Sequence, residues 1–83
     1  MRLMGPIAHI RRNIFRMTQA AFGALAGVTQ ATVSRWEAGE SEPNRDEMER
    51  IRTEALQRGI QWDDRWFFRA PDLIEAESME APA

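Results

Sequence analysis

The sequence contains no cysteine and a single histidine, His9. These absences exclude a disulfide framework and a zinc site with cysteine ligands, and one histidine cannot form a metal cluster by itself. Tyrosine, lysine and a glycine-rich phosphate loop are also missing, so few side chains remain from which a catalytic site could be built. We therefore predict a protein that is not an enzyme, needs no metal or cofactor, and suits a reducing cytoplasm.

Long hydrophobic runs are missing as well. A membrane span needs roughly 18 or more consecutive apolar residues, and the N-terminus lacks the pattern of a signal peptide, so neither a membrane nor secretion is indicated. The 83 residues suffice for one small domain. A chain of this length buries only about 60% of its unfolded surface, so oligomerisation is an expected source of further stability.

Acidic residues are absent from the first 36 residues of the chain. Residues 1–36 hold five arginines and no acid, a charge of +5, whereas residues 37–83 hold six arginines and thirteen acids, a charge of −7. The net charge of −2 therefore conceals a basic first half. A local positive field of this kind favours nucleic acid as a partner, because affinity for DNA comes largely from cations placed beside phosphates.

The pattern of residues 18–39 predicts two short helices joined by a tight turn. Thr18 and Thr29 are suitable N-caps for the first and second helix. Gly27 fits the turn, where the backbone needs positive φ, and Gly23 lies where a Cβ would collide with the second helix. The inward positions of the first helix are Phe22, Leu25 and Ala26.

The second of these helices is amphipathic. Val33 and Trp36, three residues apart, share its inner face, so Trp36 is expected in the core. The outer face carries Gln30, Ala31, Ser34 and Arg35. In the DNA major groove Arg pairs bidentately with guanine and Gln with adenine. The outer face is therefore predicted to contact DNA bases.

This segment resembles the helix-turn-helix of the Cro/CI-type repressors, the XRE family of bacterial and phage regulators. The matching positions are Thr18-Gln19, Gly23 (usually Ala in relatives), Gly27-Val28, the run TVSRWE at 32–37, Gly39 and Pro43. The resemblance implies an all-α fold, a compact four- to five-helix Cro/CI (lambda repressor-like) DNA-binding domain, here with an aromatic C-terminal extension. The alternative is two packed helices without a ligand.

Two sets of DNA-contacting residues follow from the pattern and the resemblance. Base contacts are predicted for Gln30, Ala31, Thr32, Ser34 and Arg35. Phosphate contacts are predicted for Arg16, Gln19, Thr29 and Arg45. Arg16 precedes a helix N-terminus, where charge and free N–H groups together bind phosphate. Gln19 is alternatively an ordinary polar residue of a first helical turn.

A helix before the helix-turn-helix is predicted over residues 6–15. Ile7, Ile10 and Ile14 form its apolar stripe, with Phe15 beside them, and at least two of the three isoleucines are expected in the core. The resemblance implies an ion pair between Arg12 and Glu37 that joins this helix to the recognition helix. Relatives carry an aliphatic residue where this chain has Arg11. Either the helix is rotated, or part of the stripe is a contact surface.

The chain after Gly39 predicts a fourth helix and then an aromatic segment. Asn44 is a suitable N-cap for a helix that ends near Gly59. Its predicted apolar stripe is Met48, Ile51, Ala55 and Leu56.

The aromatic segment, residues 60–71, is either a short helix or a strand. In the helical alternative Asp63 caps the helix and Trp62 packs on Phe67 as a hydrophobic staple. In the strand alternative Ile60, Trp62, Trp66 and Phe68 share one face. Four side chains are predicted to support a homodimer, with burial in the monomer as the alternative: Trp62, Trp66, Phe67 and Phe68.

The expected organisation has three parts: a DNA-binding domain at 1–59, an aromatic dimerisation element at 60–71, and a flexible acidic tail at 72–83. Within the first part the helix-turn-helix is predicted at 18–39 and the recognition helix at about 29–37.

We predict a sequence-specific regulator, a repressor acting as a homodimer on a pseudo-palindromic operator in double-stranded DNA. The protein would be bacterial or phage-encoded, cytoplasmic, and nucleoid-associated when bound. The alternative is an antitoxin or adaptor whose C-terminal segment binds a second protein, with DNA binding for autoregulation.

Overall fold

Helices make up most of residues 5–69, the part of the chain that the computed structural model describes. In chain order they are α1 (Pro6–His9), a π-helix (Ile10–Phe15), α2 (Gln19–Ala26), α3 (Gln30–Ala38), α4 (Arg45–Gln57) and a 3₁₀ helix (Asp64–Phe67). No strand occurs within these residues, which confirms the predicted all-α fold. The predicted tail at 72–83 lies outside the described residues.

The first helix covers the predicted range, but its second part is π-helical. Pro6 opens α1 at a position where its missing N–H is not needed. From Ile10 the hydrogen bonds run from i to i+5, a pattern that is rare outside single turns. Arg16 ends the helix in the left-handed region at φ 55°, and the N–H groups of Arg16 and Met17 both reach the carbonyl oxygen of Arg11. We refer to α1 and the π-helix together as helix 1.

The core lies where helix 1, α2, α3 and α4 meet. Its buried members are Ile7, Ile10, Phe15, Phe22, Ala26, Val33, Trp36, Ile51 and Ala55. Of the predicted isoleucine stripe, Ile7 and Ile10 are buried and Ile14 is half-buried. At least two of the three therefore belong to the core, as predicted.

The turn between α2 and α3 is fixed by backbone contacts. Thr18 caps α2 by accepting the N–H of Ala21 at 3.1 Å, and Gly27 turns the chain at φ 79°. The N–H of Val28 donates to the carbonyl of Gly23 at 2.8 Å. A Cβ on Gly23 would lie 2.8 Å from the carbonyl oxygen of Val28 and 3.1 Å from that of Thr29, the N-cap of α3, so the close approach is to the turn and to the start of the second helix.

Helix α4 begins with a capping box and packs on α2. Asn44 accepts the N–H of Glu47, and the Glu47 carboxylate accepts the N–H of Asn44, each at 2.8 Å. Ile51 and Ala55 are buried as predicted, but Leu56 is 53% exposed. The prediction that Leu56 belongs to the apolar stripe of α4 is wrong. The chain turns back after α4, and Ile60 packs against the core at this end.

The described part of the aromatic segment, residues 60–69, adopts the helical alternative rather than the strand. Asp63 caps the 3₁₀ helix by accepting the N–H of Arg65 at 2.9 Å. The rings of Trp62 and Phe67 lie 5.1 Å apart, which is the predicted staple contact. Within residues 5–69 no helix is both long and apolar enough to span a membrane.

Candidate nucleic-acid interface

Helix α3 buries one face and leaves the opposite face open. Thr29 caps it by accepting the N–H of Thr32 at 3.2 Å, and the two threonine hydroxyl oxygens lie 3.1 Å apart. Val33 is fully buried and Trp36 is 6% exposed, so Trp36 is a core residue, as predicted. The exposed side chains of α3 include four predicted base-contacting residues: Gln30, Ala31, Ser34 and Arg35. The fifth, Thr32, is half-buried.

A chain of polar side chains connects helix 1 to the start of α3. The guanidinium of Arg11 donates to both carboxylate oxygens of Glu37, through Nε at 2.5 Å and through Nη2 at 3.0 Å. Gln19 Nε2 donates to Glu37 Oε1 at 3.2 Å, and Gln30 Nε2 donates to Gln19 Oε1 at 2.7 Å. These four residues, which we call the polar network, hold the Gln30 amide at the N-terminus of α3.

The predicted ion pair between Arg12 and Glu37 is wrong, because the arginine that contacts Glu37 is Arg11. Arg11 makes the bidentate contact and also donates from Nη1 to the Met17 carbonyl oxygen at 3.0 Å, whereas Arg12 is exposed. The π-helix is the physical reason. An i to i+5 helix has more residues per turn than an α-helix, so it places a neighbouring residue on the inner face. The first of the two alternatives, a rotated helix, is therefore the one that the structure shows. Ile7 and Ile10 stay in the core, and Ile14 packs against it.

Ionisation of Glu37 is favoured by its partners. Burial by itself would raise the pKa of Glu37, but hydrogen bonds from Arg11 and Gln19, and the charges of Arg11 and Arg12, hold this pKa below its ordinary value. The hydrogen bond to Glu37 raises the pKa of Arg11 in turn. The pair is therefore charged at neutral pH, and the network has fixed donors and acceptors.

The four predicted phosphate-contacting residues lie at helix ends. Arg16 is exposed between helix 1 and α2, Gln19 is the first residue of α2, Thr29 caps α3, and Arg45 is the exposed first residue of α4. The structure brings Gln19 into the polar network beside Gln30. The Thr29 side chain is committed to the start of α3.

The four predicted dimerisation residues fall into two groups. Trp62 lies 6.4 Å from the Phe15 ring, Trp66 lies 6.2 Å from the His9 ring, and both pack, with Phe67, against the core. Phe68 is 70% exposed. Three of the four are therefore partly covered within one chain, whereas the dimer itself stays a prediction.

The sequence did not predict two contacts, that of Arg11 with Glu37 and that of His9 with Trp66. The only sequence signal for the first was a charged residue, Arg11, at a position where relatives have an aliphatic one. The second contact had no sequence signal. Burial lowers the pKa of His9, and the side chain of Asn13 lies 3.0 Å from its Nδ1. His9 thus belongs to the packing of the aromatic segment.

Comparisons with known proteins agree with this architecture. The helix-turn-helix family model matches residues 10–61, which include α2, α3 and α4. Repressor protein C2 of Salmonella phage P22 is 43% identical over 42 residues, which cover 51% of this chain and 19% of that protein. The chain therefore spans about a fifth of the length of this curated relative. No solved structure matches the chain significantly. The chain belongs to the XRE family of Cro/CI-type helix-turn-helix DNA-binding regulators.

Proposed function

We propose that this chain is a sequence-specific transcriptional repressor that binds a pseudo-palindromic operator as a homodimer. The observation that carries the proposal is the exposed outer face of α3, whose first side chain is held by the polar network. A relative that matches half of the chain is named as a repressor protein. Blocking of transcription follows if the operator overlaps a promoter.

The outer face of α3 has the groups that read bases in a major groove. Gln30 uses one Nε2 hydrogen for its hydrogen bond to Gln19. The Oε1 and the second Nε2 hydrogen of Gln30 remain available for the N6 and N7 edge of adenine. Arg35 carries the two-pronged donor that matches guanine. Ala31 offers a methyl group for thymine, while Ser34 and Thr32 provide hydroxyl groups.

Phosphate contacts would fix α3 in register with the bases. Arg16, Gln19, Thr29 and Arg45 are the proposed set, and they flank the starts of α2, α3 and α4. The helix starts contribute free backbone N–H groups and a positive dipole end. No acidic residue occurs between residues 5 and 36, so the segment that carries Arg16, Gln19 and Thr29 has no acid of its own to repel the DNA backbone.

The dimer would use the aromatic element at residues 60–71. In a two-fold dimer of this kind the recognition helices enter successive major grooves about 34 Å apart. The DNA-binding domain at 1–59 then supplies one half-site contact per protomer, and the operator repeats the half-site in inverted orientation.

The proposal is tested by selection of random and genomic DNA fragments on the purified protein at increasing salt. We expect an inverted repeat with half-sites about one helical turn apart, and affinity that falls steeply with salt. Retention of unrelated sequences with equal, weak affinity would contradict sequence-specific repression.

A second candidate function is that of an antitoxin or adaptor that uses DNA binding for autoregulation. The exposed ring of Phe68 favours it, because such a ring can anchor a second protein. Co-purification of one defined partner from the native host, together with autoregulatory DNA binding, would distinguish this candidate from a stand-alone repressor.

A further inference from the structure

Phe68 lies beside an open cleft among residues 5–69, the part of the chain that the structure describes. The cleft has a volume of about 290 Å³ and lies between helix 1, the end of α3, the following loop and the 3₁₀ helix. Its apolar lining consists of Pro6, Ile7, Trp36, Pro43, Met48, Phe67 and Phe68. Because Phe68 is 70% exposed, its ring forms a wall of the cleft rather than a plug.

A second depression adjoins the first and has charges of both signs at its rim. It has a volume of about 340 Å³ and shares Met48, Phe67 and Phe68 with the cleft. Its charged residues are Arg45, Glu49, Arg52 and Asp64. Arg52 and Asp64 lie 3.7 Å apart and are both more than half exposed, so Arg52 can change its partner at little energetic cost.

We propose that a second copy of this chain covers this surface, with Phe68 of each protomer inserted into the cleft of the other. The inference rests on the proposed homodimer and specifies its interface. A two-fold contact requires one patch that is complementary to itself. An exposed aromatic ring beside an apolar cleft meets that requirement, and Arg52 together with Glu49 and Asp64 at the rim lets opposite charges face each other across the axis.

The position of the cleft suits two-fold binding to DNA. Trp36, Glu37 and Gly39, at the C-terminal end of α3, line it. A two-fold axis at this cleft therefore passes close to both recognition helices, which is the arrangement that places them in successive major grooves. The other large exposed apolar side chain of residues 5–69, Leu56, does not line either depression.

The test compares the self-association of the wild type, Phe68→Ala, Phe68→Leu and Leu56→Ala by sedimentation equilibrium. We expect the wild type to dimerise and Phe68→Ala to raise the dimer Kd at least about tenfold, as loss of a central aromatic anchor does. Phe68→Leu should keep part of the affinity, because it stays apolar. Leu56→Ala is the matched control and should leave the dimer Kd unchanged, while all four proteins should keep the same helical circular dichroism.

Two outcomes would overturn the interface. One is a wild type that stays monomeric both free and on an inverted repeat, which would assign the cleft to residues 70–83 of the same chain or to a different protein. The other is a Phe68→Ala dimer as tight as the wild type. A measurement of binding to DNA with a single half-site distinguishes failure of this interface from failure of the proposed function. Phe68→Ala should bind one half-site as the wild type does and lose only cooperative binding to two, whereas a wild type that binds no half-site contradicts DNA recognition itself.

Discussion

The guanidinium of Arg11 holds both carboxylate oxygens of Glu37 and thereby ties the π-helical part of helix 1 to the C-terminal half of α3. Both side chains are only 14% exposed. Through Gln19 the same carboxylate is connected to Gln30, at the other end of α3. One ion pair thus links the packing of the domain to the orientation of a predicted base-contacting residue.

Replacement of Arg11 should destabilise the domain, whereas replacement of its neighbour should not. Arg11→Ala removes charged hydrogen bonds and leaves Glu37 without its counter-charge, so we expect the free energy of unfolding to fall by about 2–3 kcal/mol. Arg12→Ala is the matched control, because Arg12 is exposed, and should change it by less than about 0.5 kcal/mol. Urea denaturation measures both. Equal losses for the two variants would contradict the assignment of the pair to Arg11.

The contribution of Glu37 to stability should depend on pH in one direction. Its pKa is lower in the folded protein than in the unfolded chain. The stabilisation is therefore complete above the unfolded pKa, about 4.3, and is lost as the pH falls through the lower folded value. Comparison of the wild type with Glu37→Gln by urea denaturation should show a difference that shrinks below this pH. A difference that grows on acidification would show the opposite pKa shift.

The helix-turn-helix could be predicted from sequence because its determinants are local. Thr18 and Thr29 cap the helix that follows each of them, Gly27 has positive φ, and the inner position of Trp36 follows from its spacing from Val33. The staple of Trp62 on Phe67 is local in the same sense. Each of these features involves residues within a few positions of one another.

Features that depend on distant contacts could not be predicted. The sequence pattern did not reveal the π-helical part of helix 1, so the family resemblance implied Arg12 rather than Arg11 as the partner of Glu37. Leu56 fits the apolar stripe of α4 but is exposed because Ile60, after the turn, packs against the core instead. The difference in exposure between Phe68 and Phe67 likewise depends on tertiary packing.

Gln19 should act on DNA recognition through Gln30 as well as directly. Gln19→Ala removes the acceptor of the 2.7 Å bond that holds the Gln30 amide. The effects of Gln19→Ala and Gln30→Ala on operator affinity should therefore be non-additive, with a coupling of at least about 0.5 kcal/mol. Fluorescence anisotropy with the operator measures the full double-mutant cycle. Strict additivity would show that the bond has no role in recognition.

Arg16 should lower the stability of the domain through its backbone conformation and raise its affinity for DNA through its charge. Its backbone is left-handed at φ 55°, a conformation that costs an L-residue about 1 kcal/mol and that glycine adopts freely. Arg16→Gly should therefore unfold at a slightly higher urea concentration than Arg16→Ala, which keeps the strain. Both variants should bind DNA more weakly, with a salt dependence reduced by about one phosphate contact. Unchanged DNA affinity in both would exclude Arg16 from the phosphate contacts.

Base recognition by the outer face of α3 is tested most directly by the sequence preferences of Arg35→Ala. Affinities of the wild type, Arg35→Ala and Arg16→Ala are measured across a library of operator variants by sequencing of bound and free DNA. Arg35→Ala should lose its preference at one base pair in each half-site, at a cost of about 1–3 kcal/mol, whereas Arg16→Ala should weaken all sequences alike. Uniform weakening of every sequence by Arg35→Ala would contradict base recognition by this face.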